Sequence, residues 1–185
     1  SYKLAQNASK LISETKGLIR KLIGVDSNAA VIFAPSITIA INQIIYGLQL
    51  REKAVVYISP FEHNAVARSI YQLSKKKSIT IKELPINENL EIDMERVKYE
   101  FSKDKPEVVI CIHVSNVTGY VLPVDEIFEE AKKHGSITVL DSAQSLGLIE
   151  CQANHLKADI IAFAGHKTLY GPFGIGGFIN VTGIP

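Results

Sequence analysis

The sequence has 185 residues, 46% of them apolar and 21% charged, a balance that supports one sizeable buried core and excludes wholesale disorder. A net charge of +1 with no dense basic face argues against a nucleic-acid partner, and no uninterrupted apolar run reaches membrane-spanning length. The two cysteines, Cys111 and Cys151, cannot staple a disulfide scaffold and suit a reducing cytoplasm.

In chain order, apolar residues at Leu4, Ala8, Leu11, Ile12, Leu18, Ile19 and Leu22 predict an opening helix over 2–23 with one packed face and one wet face. A strand over 30–33, a helix over 36–50 and a strand over 54–59 follow. A helix over 63–73 and an alternating strand over 79–84 come next, with Lys75, Lys76 and Lys77 as a solvated corner between them. The spacing then predicts a helix over 94–101 and a buried strand over 107–114, inside which Cys111 is a small core residue. Pro123 fits a first helical position. Acids follow it, Lys132, Lys133 and His134 close the helix, and Gly135 ends it. Strands over 137–140, 159–164 and 177–180 complete the pattern. Strands alternating with helices predict one α/β domain, a mostly parallel sheet covered on both faces.

Polar residues collect just after these strands: Ser36 and Thr38, Glu62 and His63, Ser115 and Asn116, Asp141 and Gln144, His166 and Lys167. In open α/β sheets that edge is where ligands bind. A lysine among glycines at a strand end can act as a covalent anchor, and an acid ending a neighbouring apolar strand can hold a pyridinium nitrogen. Together Lys167 and Asp141 supply the two protein groups that pyridoxal phosphate chemistry most needs. The glycines over 171–177 do not form a dinucleotide loop, because they lead into a strand rather than open a helix.

The segments Phe61-Glu62-His63-Asn64-Ala65, His113-Val114-Ser115-Asn116-Val117-Thr118-Gly119, Asp141-Ser142-Ala143-Gln144 and Gly165-His166-Lys167 occur in that order. In this the chain resembles the large domain of class V aminotransferases, most closely the cysteine desulfurase and selenocysteine lyase group. The resemblance implies the fold-type-I large domain of enzymes dependent on pyridoxal 5'-phosphate (PLP), over the single domain 1–185. It also implies roles. Lys167 would hold the cofactor as a Schiff base and then act as the base at the substrate α-carbon. Asp141 would pair with the ring nitrogen, and Gln144 would donate to the ring's phenolate oxygen. His63 would stack on the ring and relay protons, histidine being a residue type that titrates near neutral pH. Asn116 would lie near the ring or the substrate carboxylate, while Thr38 and His166 would reach the phosphate. Ile37 and Ala164 depart from the family, standing where relatives carry phosphate-binding hydroxyls.

The implied reaction takes sulfur from L-cysteine, giving alanine and an enzyme persulfide, in a cytoplasmic homodimer that passes sulfur to an acceptor protein. Family members are longer, with a small C-terminal domain that carries a substrate-binding arginine and a nucleophilic cysteine. This chain therefore reads as the cofactor-binding part of a larger enzyme. Two other readings stay open: another class V activity (aminotransferase, lyase or epimerase), and a non-catalytic remnant of the fold serving as a scaffold.

Overall fold

A computed structural model of the protein describes residues 2–185. The elements run α1 (Tyr2–Leu22), β1 (Ala30–Ala34), α2 (Ile37–Gly47), β2 (Val55–Ile58), α3 (Asn64–Ser74), β3 (Thr80–Glu83) and α4 (Met94–Lys103). They continue as β4 (Val108–Ile112), α5 (Val124–Lys133), β5 (Ile137–Asp141), α6 (Ala153–Leu156), β6 (Ile160–Ala164) and β7 (Gly176–Asn180). One seven-stranded sheet has the order β1-β7-β6-β5-β4-β2-β3. The pairs among β3, β2, β4, β5 and β6 are parallel, whereas β7 runs antiparallel to both β1 and β6.

Strand composition explains why helices cover both faces. Successive side chains of a strand point to opposite sides, so a strand buried on both sides must be apolar throughout. All five residues of β4 (Val108-Val109-Ile110-Cys111-Ile112) are buried. Val108 and Ile110 join a core with Ile41, Ile45, Val66 and Ile70 of α2 and α3. Val109 and Cys111 join a second core with Val97 and Phe101 of α4 and Ile127 and Phe128 of α5.

Helix starts follow from local chemistry. Ser36 Oγ accepts from the Ile39 amide at 3.2 Å and caps α2, and Asp93 caps α4 through Arg96 N at 3.1 Å. Pro123 sits one residue before the first helical residue of α5, as its cap without a side-chain bond, rather than at the first helical position. The opening helix also differs from expectation. Within α1 only Ile19 is buried, while Leu4, Leu11, Ile12 and Leu18 are exposed, because no described residue covers most of that apolar stripe.

The return of β7 brings backbone very close to backbone. A Cβ on Gly177 would lie 2.1 Å from the Ile32 carbonyl oxygen of β1, and one on Gly176 would lie 3.0 Å from the Ile37 amide. Gly177→Ala therefore has to part β7 from β1. The expected loss is about 3 kcal/mol, at the upper end for overpacking, read as a lowered urea midpoint at unchanged slope.

Candidate active site

Every strand except β7 delivers its carboxyl end to one edge of the sheet, and there the sequence changes from apolar to polar. After β1, Ser36 turns the chain into α2, placing Ile37 and Thr38 in a first helical turn whose amides have no partner within the helix. After β2, the turn 59–62 leads to His63, which caps α3 with its own ring: Nδ1 accepts from Ala65 N at 3.1 Å. After β4, Ser115 Oγ accepts from the amides of Val117 and Thr118, each at 3.3 Å, in a turn that presents Asn116. Gly119 closes this turn with φ 73°.

Asp141 is the last residue of β5 and is 2% exposed; its Oδ1 accepts from Ala143 N at 2.9 Å. The amides of Ser145 and Leu146 then bond back to the Ser142 carbonyl, and this coil carries Gln144 back towards the same edge. After β6 the chain turns at Gly165. Gly165 N donates to the Ile175 carbonyl at 3.0 Å, Gly171 N donates to the Gly165 carbonyl at 2.7 Å, and Thr168 Oγ1 donates to the Leu146 carbonyl at 2.6 Å. Gly165 has no room for a side chain, since a Cβ would sit 2.8 Å from Ile175 Cγ2. These close approaches hold His166 and Lys167 at the edge, both half-buried.

The seven residues to which the resemblance gives roles (Thr38, His63, Asn116, Asp141, Gln144, His166 and Lys167) all line one cavity of about 190 Å3, whereas Glu62 and Ser115 do not. Ile37 and Ile112 form apolar parts of its wall. A wider cleft of about 370 Å3 between α2 and α3 shares Thr38 and His63 with it but contains neither Asp141 nor Lys167.

The electrostatics centre on the buried carboxyl of Asp141. Burial raises the pKa of Asp141, while the Ala143 amide and the charges of Lys167 and His63 pull it back down. Among the described residues, no cation lies within ion-pair distance of Asp141. His166 Nδ1 is buried without a hydrogen-bond partner among the same residues, and its ring stacks on Phe173 at 4.9 Å between centroids. A ligand with a cationic ring nitrogen and several acceptor oxygens fits this set. It would offset the buried carboxylate, engage an amine, and use the orphaned imidazole nitrogen and the free amides of α2.

One acid was not assigned from the sequence. Glu62 stands in the sequence only as one of the polar residues after β2, yet its carboxyl is buried and bonded to Ile112 of the cavity wall. Oε1 accepts from Ser59 Oγ at 2.6 Å and from Ile112 N, and Oε2 has no partner among the described residues. Burial, and secondarily the charge of Asp141, push its pKa up to about 8, against the bonds from Ser59 and Ile112. The cysteines lie apart from the cavity. Cys111 is enclosed in β4, and Cys151 Sγ rests 3.4 Å from His113 Nδ1; burial raises both thiol pKa values. No described helix is long and apolar enough to cross a membrane.

The chain resembles known proteins over nearly its whole length. The aminotransferase class-V family model matches residues 1–180. A probable cysteine desulfurase of Halalkalibacterium halodurans is 37% identical over 161 residues, covering 85% of this chain and 39% of that protein. The apo structure of a cysteine desulfurase from Thermococcus onnurineus NA1 superimposes with a TM-score of 0.88 at 27% identity, over 96% of this chain and 44% of that one. A C-DES mutant with glycine covalently linked to its PLP cofactor shares the fold, with a TM-score of 0.87 at 23% identity over 99% of this chain and 48% of that one. The chain thus spans less than half the length of these relatives.

Proposed function

The chain belongs to the class-V aminotransferase family, whose members depend on PLP and share the fold-type-I architecture, and we propose that it forms the cofactor-binding part of a cysteine desulfurase-type enzyme. The observation that carries this reading is the convergence of Asp141, Lys167 and five further expected residues on one cavity.

When bound, PLP supplies an aldehyde for an amine to capture and a ring that accepts electrons from the substrate α-carbon. Lys167 Nζ is the amine that would hold the aldehyde and would serve as the base for the substrate α-proton. The Asp141 carboxylate keeps the proton on the ring nitrogen. Gln144 donates to the ring oxygen, His63 covers the ring face and relays protons, and Asn116 orients the ring or the substrate carboxylate. Thr38, His166 and the first-turn amides of α2 receive the phosphate, and backbone donors there offset the hydroxyls absent at Ile37 and Ala164.

The same proposal takes L-cysteine as substrate, alanine as product and a thiolate as sulfur acceptor. Neither Cys111 nor Cys151 suits that last role, since both thiols are buried and hard to ionise. The proposal therefore takes the acceptor thiolate from a group other than these two cysteines. A homodimer, a sulfur-acceptor protein and a cytoplasmic location complete the reading. The scaffold alternative gives no physical reason to keep an unpaired buried aspartate facing a lysine.

Cofactor-loaded enzyme containing this chain should form alanine from L-cysteine in step with released sulfur, and Lys167→Ala should form none. A keto acid in place of alanine would assign the protein to the transaminase branch of the family. Turnover retained by Lys167→Ala would remove the reading altogether.

A further inference from the structure

We propose that Glu62 is a positioning residue: it ties the turn that carries His63 to the end of β4, and so fixes the His63 ring with its proton on Nε2.

Three features of the turn support this. First, Glu62 Oε1 closes the turn on itself by accepting from Ser59 Oγ and ties it to the end of β4 by accepting from Ile112 N, while Ser59 N donates to the Ile110 carbonyl. Ile112 and Asp141 are register partners, so the clasp closes directly beside the buried aspartate. Second, the aromatic contact of the turn, Phe61 edge-on to Tyr120 at 5.2 Å between centroids, is non-directional packing one residue before Glu62. Third, His63 Nδ1 accepts the Ala65 amide proton, and the His63 carbonyl accepts from Val66 N and Ala67 N. A ring nitrogen that accepts carries no proton, so the neutral imidazole carries its proton on Nε2. That tautomer is held while the ring keeps this capping bond, and the proposal assigns its steadiness to the clasp on the preceding residue.

The state of Glu62 matches this task. Its unpartnered Oε2 is buried, and a neutral carboxyl with the proton on Oε2 leaves Oε1 free as a carbonyl-type acceptor for both donors. Glutamine copies that arrangement, with an amide group where the acid has a hydroxyl. Alanine removes it and leaves the Ile112 amide unsatisfied at the cavity wall.

The cofactor reading of the cavity supplies the purpose of this device. The test reads His63 in cofactor-free protein, so that the two ideas fail separately. In 15N-labelled chain at about pH 7.5, above the ordinary imidazole range and below the pKa of Glu62, the His63 ring signals are identified by their loss in His63→Gln. Wild type and Glu62→Gln should show one tautomer, protonated on Nε2. In Glu62→Ala the two nitrogen shifts should move toward those of a free imidazole. An unchanged His63 signal in Glu62→Ala with a well-dispersed amide spectrum would overturn the proposal, as would a proton on Nδ1 in wild type. If Glu62→Ala does not fold, Ser59→Ala decides: a partial move of the His63 shifts supports the clasp, and unchanged shifts refute it.

Discussion

Asp141→Ala should bind PLP roughly 100- to 4,000-fold more weakly than wild type, as measured by cofactor release on dialysis against increasing volumes. The carboxylate is 2% exposed and has one backbone donor, from Ala143, with no cation in bonding contact among the described residues. A charged partner that arrives with the ligand therefore offsets a desolvation cost the fold already carries. Removing one member of such a buried pair costs about 3–5 kcal/mol, and each 1.4 kcal/mol is about tenfold in affinity. Asp141→Asn should fall between the two, because the amide keeps the shape and the bond to Ala143 N but not the charge. Equal retention by all three proteins would mean that Asp141 only ends its strand.

The second large effect is a stability that depends on pH through Glu62. Burial raises its pKa from 4.5 to about 8, with a further push from the Asp141 charge. The facing groups that set this value are Asp141, Ser59 and the Ile112 amide, and Cys111 in turn feels the Glu62 charge. A folded-state pKa above the unfolded one means that the folded chain holds the extra proton between the two values. The stabilising contribution is thus complete below about 4.5 and lost as pH rises through about 8. The displacement corresponds to at most about 5 kcal/mol. Urea midpoints of wild type should fall between pH 5 and pH 8.5 relative to those of Glu62→Gln, which lacks the titration. Parallel pH profiles for the two proteins would show that the carboxyl does not titrate in this range.

Much of the fold and the site can be read from the chain because the determinants are local. Each strand of the parallel part announces itself as a short apolar run, and each site residue stands within a few positions of a strand end, as with Asp141 after Val139-Leu140. Glu62 escaped because its burial depends on a bond to Ile112, 50 residues away; locally it reads as one more polar residue before a helix. The antiparallel course of β7 had a usable signal. Residues 165–175 are too few and too glycine-rich for a crossover helix, and a parallel return needs a dozen residues or more. The four-residue α6 is too short for periodicity to register. The exposed stripe on α1 marks the opposite limit: a 3.6-residue period shows that a helix is amphipathic, not what covers it.

The most direct test of the account is to mix the protein with PLP, reduce with borohydride and map the adduct by peptide mass spectrometry, with Lys167→Ala alongside. One adduct per chain is expected, confined to Lys167 and absent from the variant. Scattered modification of exposed lysines, the same in both proteins, would contradict it.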